Sequence, residues 1–520
     1  MNTAEFLTIA ASVVPDRLAM VCDGGERTFA QLQERVNRLA NAFQSLGMQR
    51  GDKVAVVALN SIPYVETYYA SAKLGIVFVP LNYRAKRDEL IYMLDNSEAS
   101  ALLVEERYLD LCAAIRPRLQ TVKHLICYDS QPEGVISYEQ LLAAHEPADI
   151  FVEVDDSDPT VLLYTSGTTA LPKGVVLTYL SMSVYVTNTV EPASPETHDT
   201  LLLSVPIYHV AGATAIMSSV WGGRTLVILP QFDPKAWLDA VQAHRVTHSF
   251  VVPTMLKRIM EEPNFDEYDL SSLRLVAYGA APMPNEVITK AVQVFSCGLM
   301  NAYGQTESTS TLTFLGPEDH RIPDGPPEER ERKLQRLHSV GRAMDDVVVA
   351  IMDSHGNLLP PGQEGEIVAQ GARLMTGYWK REEETAEALK DGWLHTGDVG
   401  WMDEEGYVYI TGRTKDLIIR GGENIAPGEV EAVLELHPKV EEAAVIGVPD
   451  VDWGEEVKAI IVPKAGSQPT PEELTAFVKE HLASYKVPKY YAFATELPRN
   501  YLGKTLKTDL RKRYGEPKND

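Results

Sequence analysis

The 520-residue sequence predicts an α/β protein: a large N-terminal domain of helix-covered sheets with a β-rich subdomain, followed by a small α+β C-terminal domain. Three observations predict it. Helical stripes and apolar strand runs alternate through the first half of the chain. After residue 347 the texture changes to short strands separated by turns, and beyond residue 412 a smaller set of helices brackets strands.

Residues 28–47 read as a helix. Thr28 and Gln31 have capping-box spacing, Leu32, Val36, Leu39, Phe43 and Leu46 make one apolar stripe, and Gly47 ends it. A buried strand over 54–59, a helix over 63–74 and a strand over 76–80 follow, the alternation of a parallel sheet covered by helices. It resumes with strands over 201–205 and 225–229, a helix over 236–244 and a strand over 249–252. The Pro-, Glu- and Arg-rich stretch 317–337 reads as a solvated surface excursion. Turns at 353–357, 360–362 and 403–406 mark the β-rich subdomain, about 340–413. In the last unit, helices over 428–436 and 472–482 bracket strands over 443–448 and 457–462.

The length suits two or three domains, and the hydrophobic (45%) and charged (23%) fractions are those of a soluble globular protein. A net charge of −25 argues against nucleic acid or an anionic membrane as partner. Cys22, Cys112, Cys127 and Cys297 lack CxxC spacing, so neither a zinc site nor a disulfide framework is indicated, and a reducing cytoplasm is the natural location. There is no basic leader and no apolar run long enough for a transmembrane segment.

The most informative stretch is 164–174, Tyr-Thr-Ser-Gly-Thr-Thr-Ala-Leu-Pro-Lys-Gly, directly after the strand-like run 160–163. Thr165, Ser166, Thr168 and Thr169 offer hydroxyls to phosphate oxygens, Gly167 lets the backbone come close, and Lys173 adds a point charge. It is not a Walker loop, because the glycine follows the lysine. On its own it is equally a polar surface loop between two strands. Tyr303-Gly304-Gln305-Thr306-Glu307 sets an aromatic face, a hydroxyl and a carboxylate together, a group able to stack a base and hold a metal ion, although Glu307 alone reads as a capping acid.

These two motifs resemble the signatures of the adenylate-forming superfamily of acyl-CoA synthetases, firefly luciferases and peptide-synthetase adenylation domains. Further motifs follow in the family's order: Tyr278-Gly279-Ala280-Ala281-Pro282, Trp393-Leu394-His395-Thr396-Gly397-Asp398, Gly412-Arg413, and the segment 498–504 ending in Lys504. The chain departs from the family at Ala170, usually glycine, and Tyr179, often histidine. The resemblance implies an acid–thiol ligase using ATP, Mg2+ and coenzyme A, closest to acyl-CoA synthetases. It implies that Thr165, Ser166, Gly167, Thr168, Thr169 and Lys173 clamp phosphates. Gly279, Ala280, Ala281, Asn301, Ala302, Tyr303 and Gly304 then form the adenine slot. Asp398 takes the ribose hydroxyls with help from Arg413. Glu307 and Thr168 hold the metal, and Thr306 meets the α-phosphate or the carboxylate. Lys504 becomes the catalytic lysine of a small mobile domain, 414–520, which rotates against 1–413 about Lys415 and brings Gly421 and Gly422 to the CoA tunnel. Lys507, Arg511, Lys512 and Arg513 are left as solvated charges.

Residues 206–212, Pro-Ile-Tyr-His-Val-Ala-Gly, lie where amino-acid-activating members place an aspartate, which favours an acyl-CoA ligase. His209 resembles an aromatic gate, and Tyr208, Val210, Phe250 and Val252 are expected to wall an apolar acyl pocket. An uncharged medium-chain, branched or aromatic acid is therefore the expected substrate. The expected partners are this small-molecule carboxylic acid and CoA, with a homodimer as one assembly the sequence leaves open. A ligase loading a carrier protein, a luciferase-like oxygenase and a non-enzymatic nucleotide-binding protein stand as alternatives.

Overall fold

The structure is a computed structural model describing residues 1–165, 171–281, 283–322, 326–413, 416–420, 423–451, 453–482, 484–499 and 505–520. It divides into two compact units. The first comprises Met1–Lys333, Met344–Val348 and Gln370–Leu394; the second comprises Leu334–Ala343, Val349–Ala369 and His395–Asp520.

Two sheets organise the first unit. An eight-stranded sheet runs in the order Gly377–Tyr378, Lys173–Thr178, Pro159–Thr165, Val77–Pro80, Lys53–Val57, Ala101–Val104, His124–Cys127 and Ile136–Ser137. Its pairs are parallel from Pro159–Thr165 to Ile136–Ser137 and antiparallel at the two pairs beyond. Val54 and Val56 join one apolar cluster, while Ala55 and Val57 join another. Successive side chains point to opposite faces of a strand, so a strand buried on both faces must be apolar throughout, and Lys-Val-Ala-Val-Val is apolar after its first residue. The other sheet contains the parallel neighbours Thr225–Ile228, Thr200–Leu203, His248–Val251, Leu275–Gly279 and Gly298–Gln305, with Ser310–Leu315 antiparallel beside the last.

The helix Phe29–Ser45 forms as its spacing predicts. Thr28 Oγ1 accepts the Gln31 amide at 3.2 Å and Gln31 Oε1 accepts the Thr28 amide at 2.9 Å, which satisfies N–H groups that have no partner within the helix. Leu32, Val36, Leu39 and Phe43 are buried, and Gly47 takes φ +82° just past its end. Residues 317–337 differ from expectation. Helices Pro317–His320 and Pro327–Arg336 lie within this stretch, and the second is polar nearly all round, so no apolar stripe announced it.

In the second unit, residues 398–402 pair antiparallel with Val408–Arg413 across a turn in which Asp403 Oδ1 accepts the amides of Glu405 and Tyr407. Near the C-terminus, the long strands Val440–Asp450 and Gly454–Pro463 form a hairpin, with Ile418–Arg420 and the parallel strand Tyr490–Phe493 on Gly454–Pro463. Helices Pro427–Glu435 and Pro471–His481 cover one face of this sheet through Val430, Leu434, Leu474 and Val478. Among the described residues no helix is long and apolar enough to cross a membrane.

Candidate active site

The loop 164–174 closes a β-hairpin. Thr165 pairs with Lys173 and Tyr164 with Gly174, so both ends of the hydroxyl-rich segment are fixed by strand register. A Cβ on Gly174 would meet the end of the Leu162 side chain at 2.9 Å, and the Gly174 carbonyl accepts the Trp379 amide at 2.7 Å. Ser166, Gly167, Thr168 and Thr169, with Ala170, lie outside the described residues. On the far side of Lys173–Thr178 runs the two-residue strand Gly377–Tyr378, with Tyr378 opposite Val175. This brings the Tyr378 ring to 4.8 Å from Lys173 Nζ.

Glu307 sits in the single 3-10 turn Thr306–Ser308 that ends the strand Gly298–Gln305. Ser308 Oγ ties the turn together, accepting the Gln305 amide at 3.0 Å and donating to the Ser310 carbonyl at 2.8 Å. Thr309 and Ser310 both hold left-handed backbone, at φ +50° and +80°, and a Cβ on Gly304 would sit 1.7 Å from the Ser310 oxygen. Such strain persists only where surrounding contacts impose it. Here Thr309 Oγ1 donates to the Arg373 carbonyl, and the Met375 amide donates to the Glu307 carbonyl at 2.8 Å. The Tyr378 hydroxyl then donates to Glu307 Oε1 at 2.9 Å. Lys173 and Glu307, 134 positions apart in the sequence (307 − 173), meet around one tyrosine.

The predicted adenine slot occupies the C-terminal ends of two adjacent parallel strands, where open α/β sheets bind ligands. Tyr278 pairs with Asn301 and Gly279 with Ala302. A Cβ on Gly279 would lie 2.1 Å from the Ala302 oxygen, so only glycine admits this backbone approach. Ala280 holds φ +66° and is exposed, while Ala281 and Tyr303 are half-buried. Tyr278 itself points inward, its hydroxyl 2.8 Å from His320 Nε2.

Tyr208, Val210, Phe250 and Val252 follow or end the neighbouring strands Thr200–Leu203 and His248–Val251. The Tyr208 and His209 rings lie 4.4 Å apart, and Tyr83 meets Tyr208 edge-on at 5.5 Å. Val210 and Phe250 are half-buried and pack against the main apolar cluster. His209 is half-buried as a residue, and its Nε2 is buried. Burial, and secondarily the nearby Arg84 guanidinium, push the imidazole down to about 3, so it is neutral at ordinary pH. Gly212 lets the helix Val210–Trp221 begin against the Pro206 carbonyl, 2.3 Å from its would-be Cβ. Tyr179, at a position of departure from the family pattern, is wholly buried and donates its hydroxyl to the Ala72 carbonyl at 3.0 Å.

In the second unit, Arg413 Nε donates to Asp398 Oδ1 at 2.6 Å across paired strands. Asp398 is thus a strand residue, and 8% exposed. Glu366 braces the approach to it, accepting the Gly397 amide at 3.0 Å and lying 2.8 Å from His395 Nδ1. Lys415, Gly421, Gly422 and Lys504 lie outside the described residues, although Arg499 and Thr505 pair as an isolated bridge. Three cations expected to be merely solvated are paired: Lys507 with Glu431 at 2.7 Å, Arg511 with Asp416 at 2.9 Å and, on the surface, Lys512 with Asp509 at 3.6 Å.

Residues 7–379 match the family of AMP-binding enzymes, and residues 429–504 match that family's C-terminal domain. The chain belongs to the AMP-binding enzyme family. It is 37% identical over 507 residues to a feruloyl-CoA synthase from Amycolatopsis, covering 97% of each chain. It is 34% identical over 509 residues to a fatty acid–acyl-carrier-protein ligase from Streptomyces coeruleorubidus, covering 96% of this chain and 94% of the other. Among solved structures, a fatty acyl CoA synthetase from Mycobacterium tuberculosis superposes with a TM-score of 0.80 at 34% identity, over 99% of this chain and 98% of that one. This AMP-binding enzyme is an AMP-forming acid–thiol ligase. Glu366 and Tyr378 were not among the residues its motifs single out. A Gly-Tyr pair at 377–378 is the only local signal for Tyr378, and nothing local ties it to Glu307.

Proposed function

We propose that this AMP-binding enzyme is an ATP-dependent acyl-CoA ligase for a medium-chain, branched or aromatic acid, with an aromatic acid favoured. The observation that carries the reading is the meeting of Lys173 and Glu307 around Tyr378: a cation and a carboxylate held close without neutralising each other suit a triphosphate and its counter-ion. A carboxylate oxygen of the acid attacks the α-phosphorus of ATP, the bond to pyrophosphate breaks, and an acyl-adenylate results. The CoA sulfur then attacks the acyl carbonyl and AMP leaves.

Lys173, the hydroxyl loop, Thr306 and Lys504 offset the charge of the first step. On the strength of the resemblance we assign the ribose to Asp398 and Arg413, and the base to Gly279 to Ala281 and Asn301 to Gly304. Glu307, with the Thr168 hydroxyl that the resemblance assigns beside it, would hold a magnesium ion, whose preference for a carboxylate together with phosphate oxygens suits such a site. When bound, the ion neutralises phosphate charge. Lys504 serves the first step and must leave to admit the thiol, which is why we divide the chain at 413/414, place the hinge at Lys415 and assign Gly421 and Gly422 to the CoA tunnel.

The aromatic preference rests on the Tyr83, Tyr208 and His209 rings, the last kept neutral, and on the likeness to a feruloyl-CoA synthase. Likeness to a ligase that acts on an acyl-carrier protein favours a second reading, transfer to a carrier-protein thiol. AMP release measured with ATP, a panel of acids, and either CoA or a carrier protein separates the two. Activity confined to acetate refutes the acyl assignment, and turnover independent of CoA refutes the CoA assignment.

A further inference from the structure

We infer that Tyr378 is a positioning residue that keeps Lys173 and Glu307 apart and aimed, so that nucleotide and metal meet a prepared site. The inference rests on the nucleotide reading above. Opposite charges this close to one ring attract strongly in a partly buried setting, and a direct Lys173–Glu307 ion pair would have to be broken each time ATP arrived. Among the described residues no such pair is present. Each charge has a weaker contact with the same side chain: the ammonium lies over the ring face at 4.8 Å, and the carboxylate accepts the hydroxyl at 2.9 Å.

The tyrosine is itself anchored. Its amide donates to Thr385 Oγ1 at 2.9 Å, its strand pairs with Val175 and Val176, and Thr385 lies on the helix Glu382–Ala388. Gly377 lets Thr385 close in, since a Cβ there would lie 2.6 Å from Thr385 Cγ2. Strand pairing and Thr385 therefore fix the backbone that carries the tyrosine, while its ring and its hydroxyl each hold one charge. Ring and hydroxyl are chemically separable, so the two halves of the role are testable apart.

The test is ATP binding by calorimetry, without any acid present, across a Mg2+ series and in EDTA, for the native protein and for Tyr378→Phe and Tyr378→Leu. Tyr378→Phe keeps the ring and loses the hydroxyl. It should raise the half-saturating Mg2+ concentration about tenfold, the usual cost of removing a hydrogen bond to a metal ligand, while affinity in EDTA changes less than about twofold. Tyr378→Leu should show the same Mg2+ effect and also bind ATP at least about threefold more weakly in EDTA, because the lysine is then free to collapse onto Glu307. Native-like Mg2+ dependence in Tyr378→Phe, with thermal unfolding unchanged, overturns the inference and leaves the nucleotide reading intact. Equal losses in both conditions for both variants also overturn it, since a merely structural tyrosine gives that pattern. A native protein that binds no ATP in either condition overturns the nucleotide reading itself.

Discussion

The side-chain carbonyl of Asn60 accepts the Ile207 amide at 2.9 Å, while its Nδ2 donates to the Val205 carbonyl at 3.0 Å and the Leu229 carbonyl at 3.1 Å. One buried amide thus sets the path of the segment that delivers Tyr208 and His209. Asn60→Leu strands a buried donor and two buried acceptors, each costing about 1–3 kcal/mol. Chemical denaturation should show a loss of about 3 kcal/mol or more. The surviving folded fraction should lose kcat/KM for the acid while ATP affinity holds.

His209 and His248 both protonate less readily in the folded chain than their ordinary 6.5, down to about 3 and about 4, chiefly because burial disfavours the cation. Between those values and 6.5 the unfolded chain binds more protons than the folded one, so stability falls as pH drops below about 6.5 and the effect is absent above it. Denaturation midpoints measured from pH 7.5 to 4.5 should fall, and His209→Phe should flatten the slope by at most about 1.4 kcal/mol per pH unit. An unchanged slope contradicts a neutral, buried His209.

Two neighbouring substitutions at the end of the strand Leu275–Gly279 should act in opposite directions. Gly279→Ala drives a methyl into the Ala302 carbonyl and should destabilise by about 3 kcal/mol or more, beyond ordinary overpacking. Ala280→Gly relieves a left-handed alanine and should stabilise by about 1 kcal/mol. Thermal unfolding of the pair reads both signs.

Asp398→Asn removes the charge that Arg413 pairs with and the stronger acceptor for vicinal hydroxyls. ATP affinity by calorimetry should fall roughly tenfold or more, the equivalent of about 1.5–3 kcal/mol for a charged hydrogen bond. Affinity for inorganic pyrophosphate, which has no ribose, should stay unchanged.

Lys458 is wholly buried, and its Nζ donates to Asp520 Oδ2 at 2.7 Å and to the Glu516 carbonyl at 3.0 Å. Asp520→Ala leaves a buried ammonium without its counter-charge and should cost about 3 kcal/mol, whereas Lys458→Met should cost less, because removing the charge itself avoids that penalty. Urea denaturation of the two variants should order them that way.

Local signals carried much of the fold. The capping box at Thr28 and the stripe from Leu32 to Phe43 define a helix through contacts within the segment itself. The apolar runs around Val54 and Val77 define buried strands because both faces are covered. Thr165 and Lys173, the two ends of the hydroxyl-rich stretch, are paired in neighbouring antiparallel strands, the first of which continues the strand-like run 160–163. What escaped depends on distance along the chain. Tyr378 meets Glu307 only because Gly377–Tyr378 joins a sheet edge already formed by Lys173–Thr178, and Asn60 braces residues nearly 150 positions away. The helix Pro327–Arg336 escaped for a different reason: helices are read from apolar periodicity, and this one has almost none.

The strand Gly377–Tyr378 has a further consequence, for solubility. Without it, Lys173–Thr178 would present a row of open backbone donors and acceptors at the end of a sheet of the seven remaining strands, a template on which another polypeptide could pair. Two residues occupy that rim and the chain then turns into the helix Glu382–Ala388, so the rim is covered by a strand too short to recruit a successor. The tyrosine that separates two charges also terminates the sheet, so a variant that dislodges its backbone should aggregate where Tyr378→Phe stays monodisperse.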